Sequence, residues 1–289
     1  MRLRLAEQAY DLTHRALVIG VLNRTHDSFS DADRSYPLDA FLRRAEQHVA
    51  DGADILDIGA RAAGVGARSV SLAEETDLVC EAVIALLVRF DVPISVDSPR
   101  AGVAAAAFAA GAVLGNDMSG FRDPAYLPAA ARAGVAVVAT HTRLPPGVPD
   151  PDPIYDDVVE DVASTLTQLV DSAVRVGIDA ESILVDPGLD LGKTWQQSVR
   201  LLGAVPRFAA LGHPVLVAAS NKIFLGELLG RETSERHDAS VAACAIGAAA
   251  GARVFRVHDV RGARDAVDLA CAATGSPGAA WWQRNNWSG

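Results

Sequence analysis

Short runs of Val, Ile, Leu and Ala that end in a polar or ionisable residue alternate with longer segments whose apolar positions recur at helical spacing. The short runs cover 16–23, 54–59, 92–97, 112–117, 135–141, 183–186, 214–220 and 253–259. Runs apolar at nearly every position predict strands buried on both faces, as in a parallel sheet. Between them lie 38–50, 73–89, 101–110, 124–133, 158–176, 195–209, 222–229 with 237–250, and 261–273. In 38–50, for example, Leu38, Phe41, Leu42, Ala45 and Val49 share one helical face. Glycine follows five of these segments, at Gly52, Gly111, Gly134, Gly177 and Gly251, where a helix ends on a left-handed residue. Eight strand–helix units in 289 residues predict an α/β chain with one domain, a (β/α)8 TIM barrel over residues 1–275. The rival, a doubly wound open sheet, carries fewer strands and a Gly-rich first turn. Residues 276–289 break the pattern. They hold Trp281, Trp282 and Trp287, three of the four tryptophans, and predict a tail that docks on a barrel end or a partner subunit.

Composition narrows the function classes. Hydrophobic residues are 50% and charged residues 21% of the chain, enough for a large core and inconsistent with disorder. The formal net charge of −10 argues against nucleic acid or an anionic membrane as partner. Cys80, Cys244 and Cys271 are scattered in apolar stretches; they predict free thiols in a reducing cytoplasm, not a disulfide framework or a zinc site. No apolar run has the length of a spanning helix, and the first residues have no signal-peptide pattern. Of 26 basic residues only Lys193 and Lys222 are lysines.

In a barrel the chemistry gathers where strands end. Those ends carry Asn23, Asp57, Asp97, Asn116 with Asp117, His141, Asp186, Ser220 to Lys222, and Arg256 with His258 and Asp259. Singly, each is explained by a helix cap or a turn; together they predict one polar mouth. Two decoys fall away. Gly188-Leu-Asp-Leu-Gly192-Lys193-Thr194 has three residues between its glycines where a phosphate-binding P-loop needs four. Gly59 to Gly66 is Gly-rich but lacks the dinucleotide fingerprint.

The strand ends, in order, resemble dihydropteroate synthase. Val21-Leu-Asn-Arg-Thr-His-Asp-Ser-Phe-Ser-Asp31 is similar to that family's L-N-x-T-P-D-S-F-S-D, with His26 for Pro. Ile94 to Asp97, Asn116-Asp117, Asp186-Pro-Gly188, Gly192-Lys193, Ser220-x-Lys222 and Arg256-Val-His-Asp259 are similar to its later motifs. The family joins a dihydropterin pyrophosphate to p-aminobenzoate and releases pyrophosphate. The resemblance implies that Asp97, Asn116, Asp186 and Lys222 recognise the pterin ring, whose aminopyrimidinone edge needs both acceptors and donors. It implies that Asn23, Arg256 and His258 hold the pyrophosphate, Asn23 through Mg²⁺. It implies that Asp27, Phe29 and Asp31 cover the reacting methylene, where Asp31 would stabilise a developing cation and the closed loop would exclude water. Asp31, Lys222 and Asp97 are thus the implied catalytic set, and a homodimer through late helices such as 237–250 is the implied assembly.

The second loop departs from the family. Where the family reads D-x-G-G-E-S-T-R-P-G, this chain reads Asp57-Ile-Gly-Ala-Arg-Ala-Ala-Gly-Val-Gly66, with Ala63, Gly64 and Val65 replacing Thr, Arg and Pro of the acceptor subsite. The family's S-R-K-S becomes Ser220-Asn221-Lys222-Ile223, so Asn221 and Ile223 also change the acceptor side. Backbone N–H groups at the start of the following helix are expected to remain for an acceptor carboxylate. Each lost hydrogen bond to a charged group is worth roughly 1.5–3 kcal/mol. The expectation is a pterin-binding homologue, similar to divergent second paralogues, with little or no p-aminobenzoate-dependent synthesis. The alternative is an active transferase that uses p-aminobenzoate or another amine.

Overall fold

The computed structural model describes residues 1–24, 36–60, 70–145, 148, 150 and 152–275. Residues 2–11 form an antiparallel hairpin, β1 (Arg2–Leu5) and β2 (Gln8–Asp11). Eight parallel strands follow: β3 (Leu17–Asn23), β4 (Ile55–Gly59), β5 (Ile94–Asp97), β6 (Leu114–Asp117), β7 (Ala136–Thr140), β8 (Ile183–Asp186), β9 (Leu216–Val217) and β10 (Val254–Val257). They are hydrogen-bonded in the order β8-β7-β6-β5-β4-β3-β10-β9. The remaining seam is closed by a parallel bridge between Val185 and Val215, with the Val185 N–H donating to the Pro214 carbonyl at 3.0 Å. The predicted barrel is therefore observed.

The helices are α1 (Tyr36–Ala50), α2 (Leu72–Arg89), α3 (Ala101–Ala109), α4 (Tyr126–Ala133), α5 (Val158–Arg175), α6 (Trp195–Gly203), α7 (Val205–Ala209), α8 (Ile223–Leu229), α9 (His237–Ala249) and α10 (Val260–Ala273). The continuous helix predicted over 195–209 is two helices, because Pro206 has no N–H to carry the α6 ladder onward and instead sits in the first turn of α7. All five glycines that follow helices have positive φ, between 66° and 114°, which for residues with a Cβ is strained.

Two apolar cores result. One fills the space between strands and helices, with Val18, Ile58, Val96, Val137 and Phe255 facing outward from the barrel. The other fills the interior, where Ile19, Ile55, Leu114, Leu184 and Leu216 meet Leu3 and Leu5 of the hairpin. The hairpin thus plugs the N-terminal end, and the opposite end is left to chemistry. Cys244 and Cys271 are buried, Cys80 is half-buried, and all three are free thiols. No helix among the described residues is long and apolar enough to cross a membrane. The tail 276–289 lies outside the described residues.

Candidate functional site

The floor of the barrel mouth is one guanidinium between two carboxylates. Arg256 leaves β10 and donates from Nε to Asp57 Oδ2 at 2.7 Å and from Nη2 to Asp97 Oδ2 at 2.6 Å. The side chains are 18%, 1% and 15% exposed, respectively, so these are desolvated, charge-assisted bonds. Register brings them together: Asp97 pairs with Gly59 on one side and Asn116 on the other. Burial pushes the Asp97 carboxyl up to about 6 against the pull of Arg256, with Asp57 adding repulsion. Asp57 Oδ1 is buried without a hydrogen-bond partner among the described residues. The buried Asn116 amide likewise makes no hydrogen bond among them, so both groups keep capacity for a ligand. Asn23 is exposed at the end of β3, and Arg24 after it ties the edge to β4 through its backbone N–H to the Gly59 carbonyl at 2.7 Å and to α2 through Nη2, which donates to Glu81 Oε2 at 2.7 Å.

The loop after β8 forms the opposite wall. Asp186 is buried, and its Oδ1 accepts the Gly188 N–H at 2.7 Å. Burial raises its pKa, opposed mainly by Lys222. Gly188 has no alternative here: its φ is +66°, and a Cβ would lie 2.0 Å from the His141 carbonyl oxygen. Lys222, the N-cap residue of α8, donates Nζ to the Leu189 carbonyl at 2.6 Å. Burial lowers its pKa while Asp186, Asp190 and Asp97 oppose that, which puts the ammonium in the field of both walls.

Lys193 lies beneath this loop. Its ammonium donates to the Gly188 carbonyl (2.8 Å), the Leu191 carbonyl (2.9 Å) and His141 Nδ1 (2.9 Å). With Nδ1 accepting, His141 carries its proton on Nε2, 3.3 Å from Asp161. Burial and Lys193 drive His141 down to about 3, and burial brings Lys193 down to about 7.

At the rim, the His258 N–H donates to Ser220 Oγ at 3.2 Å, and the Ser220 hydroxyl lies 3.0 Å from His258 Nδ1. In the tautomer in which that hydroxyl donates to the ring, Nε2–H is left to donate outward. Burial and the neighbouring Arg256 charge lower His258 to about 4, so the ring is neutral at pH 7.

Several strand-end residues serve the scaffold instead. Asp117 caps its own turn, accepting from Ser119 at 2.7 Å and Phe121 at 2.9 Å. His141 supports Lys193, and Asp259 caps α10 through Gly262 at 3.2 Å and accepts from His237 at 2.7 Å. The described site residues Asn23, Asp97, Asn116, Asp186, Lys222, Arg256 and His258 all stand at the C-terminal ends of strands or in the turns that follow. Asp27, Phe29, Asp31, Ala63, Gly64 and Val65 lie outside the described residues. Asn221 is left-handed, with φ +58°, and its N–H donates to Ser240 Oγ at 2.9 Å. Ile223 opens α8 and is 61% exposed.

One residue escaped the sequence reading. Asp190, at φ +67°, accepts the Phe224 N–H of α8 with both carboxylate oxygens at 3.2 Å. Of the first-turn N–H groups expected to remain for an acceptor carboxylate, that of Phe224 already has an acidic partner. The only local signal was an acidic residue between Gly188 and Gly192.

Comparison with known proteins adds a family. The model of the family described as pterin binding enzyme matches residues 19–258. Dihydropteroate synthase of Bacillus subtilis is 37% identical over 254 residues, covering 88% of this chain and 87% of that protein. Inactive dihydropteroate synthase 2 of Mycobacterium tuberculosis is 40% identical over 266 residues, covering 90% and 84%. The crystal structure of Yersinia pestis dihydropteroate synthase in complex with a sulfonamide drug superposes with a TM-score of 0.88 at 36% identity, covering 95% of this chain and 100% of that one.

Proposed function

The chain belongs to the family of pterin-binding enzymes, and from that premise we propose that it binds a pterin or its pyrophosphate at the barrel mouth, with little or no p-aminobenzoate-dependent synthase activity. The observation that carries this reading is the set of buried Asn116 and Asp186 with half-buried Asp97 and Lys222, whose hydrogen-bonding capacity is not all spent within the fold. Asp186 Oδ2 and the Asn116 amide suit an aminopyrimidinone edge, which offers paired N–H donors and a carbonyl acceptor. Lys222 keeps further ammonium protons beyond the one given to Leu189. Asp97 is the carboxylate that would stabilise positive charge on the ring, and Asp31, with Phe29 and Asp27, is the proposed cover.

The diphosphate would lie against Arg256, the neutral His258 Nε2–H and Asn23. Arg256 is already held by two carboxylates, so its contribution is orientation more than net charge. Mg²⁺ fits only as a companion of the substrate. Among the described residues no group of three or more His, Cys, Asp or Glu could cage a metal, and Asn23 offers a single oxygen. Magnesium bound through substrate phosphates with few protein ligands matches that donor set. Bound there, the ion would neutralise charge on the departing pyrophosphate.

The acceptor side separates this chain from a synthase: Asn221, Ile223, Ala63 and Gly64 replace polar residues of the family, and Val65 its Pro. The second reading, an active transferase for p-aminobenzoate or another amine, is favoured by the intact Arg256 clamp. A homodimer through α9 fits the exposed Ile246 on that helix. The test is incubation with 6-hydroxymethyl-dihydropterin pyrophosphate and Mg²⁺, with and without p-aminobenzoate, following pyrophosphate and pteroate. Pterin binding without pteroate supports the proposal. Pyrophosphate release, with or without robust pteroate formation, refutes the first reading's inactive site and selects the second, the presence of pteroate identifying p-aminobenzoate as the acceptor.

A further inference from the structure

We propose that Asp190 sets this mouth against acceptors that carry a carboxylate and in favour of neutral amines, an inference that rests on the proposed function for where the acceptor enters. Asp190 cannot swing aside. The carbonyls on either side of it are pinned by two lysines, Leu189 by Lys222 at 2.6 Å and Leu191 by Lys193 at 2.9 Å. Its own N–H donates to the buried Ser198 hydroxyl at 3.1 Å. Its φ of +67° is a conformation that Asp tolerates better than most residues with a Cβ.

Held in that place, the carboxylate does two things to an incoming anion. It takes the Phe224 N–H, one of the first-turn donors of α8, with both oxygens. It also lies in the field of Lys222, whose ammonium it helps keep protonated, so part of that lysine's charge is already answered. An acceptor carboxylate arriving here would meet a like charge and one donor fewer, with the apolar, exposed Ile223 beside them. A neutral arylamine would meet neither penalty, and its apolar ring could lie against Ile223.

The experiment titrates p-aminobenzoate and neutral p-aminobenzamide into the full chain calorimetrically, with and without pterin plus pyrophosphate. Variants are Asp190→Asn, which keeps an acceptor oxygen for Phe224, Asp190→Gly, which suits the left-handed backbone, and Ile223→Ser. Thermal melts confirm that each is folded. Both Asp190 variants should gain at least about tenfold in p-aminobenzoate affinity, equivalent to about 1.4 kcal/mol, while p-aminobenzamide changes far less. Ile223→Ser alone should leave the preference in place. An equal response of both amines, or no response in either Asp190 variant, overturns the role of Asp190. Failure of the native chain to bind pterin in the companion titration refutes the proposed function instead, and the pterin-free amine titrations still decide the charge preference.

Discussion

Replacing Lys193 by Met removes the cation that ties the β8 loop to the end of β7. Three hydrogen bonds of 2.8–2.9 Å disappear, to the Gly188 and Leu191 carbonyls and to His141 Nδ1. Each bond to a charged donor is worth roughly 1.5–3 kcal/mol, and each buried acceptor left unpaired costs about 1–3 kcal/mol. Against this stands the several-kcal/mol desolvation penalty of a buried ammonium, which the variant no longer carries. The net expectation is a loss of about 2–4 kcal/mol at neutral pH, within the range of disrupted buried polar networks. The pH dependence is the sharper signature. Burial lowers Lys193 from 10.5 to about 7, so between those values the unfolded chain binds a proton that the folded chain does not. Stability from this group is therefore least below pH 7 and rises with pH toward 10. The variant lacks that rise, so the gap between native protein and Lys193→Met should widen by up to about 3 kcal/mol between pH 7 and 9.5. Urea unfolding at both pH values, followed by tryptophan fluorescence, measures it. A gap that is constant or that narrows would refute the assignment of Lys193 as a desolvated loop anchor. Lys193→Arg should not rescue, because a planar fork does not reproduce three donors on one compact centre.

Asp97, raised to about 6, gives pterin affinity that falls as pH drops below 6, where the carboxyl no longer accepts two N–H bonds; calorimetry between pH 5 and 8 should show this, and Asp97→Asn should flatten the profile. The same shift costs folding stability above pH 6, and that cost is relieved as pH falls toward 3.8. Arg256→Met strands Asp57 and Asp97, and should cost about 3–5 kcal/mol in urea unfolding, with diphosphate affinity lost as well. His258, held near 4, should leave diphosphate binding flat between pH 6 and 8, whereas a dependence centred near 6.5 would show a ring that protonates in the site.

Much of this architecture is legible in local pattern. Continuous apolar runs marked the barrel strands, C-terminal glycines marked helix ends, and polar strand termini marked the mouth. What escaped depends on contacts distant along the chain. Arg256 meets Asp57 across 199 residues, and no local spacing shows that a phosphate-type arginine is first clamped by two carboxylates. Asp190 meets Phe224 across 34 residues, so it read as part of a failed P-loop. The hairpin plug alternates Arg2, Leu3, Arg4, Leu5 with period two, a strand signal in a segment too short to stand out. Asp117, His141 and Asp259 are polar at strand ends for scaffold reasons, which composition alone does not distinguish from ligand binding. The two lysines gain meaning together: one reaches into the mouth, the other holds the loop that the first is bonded to.

The most direct test of the account is a calorimetric titration of 6-hydroxymethylpterin into the native chain and into Asp186→Asn and Lys222→Met. The native protein should bind one pterin per chain saturably, and each variant should lose at least about tenfold in affinity, the scale of one buried charge-assisted bond. No saturable binding by the native chain, or equal affinity in all three proteins, would contradict it.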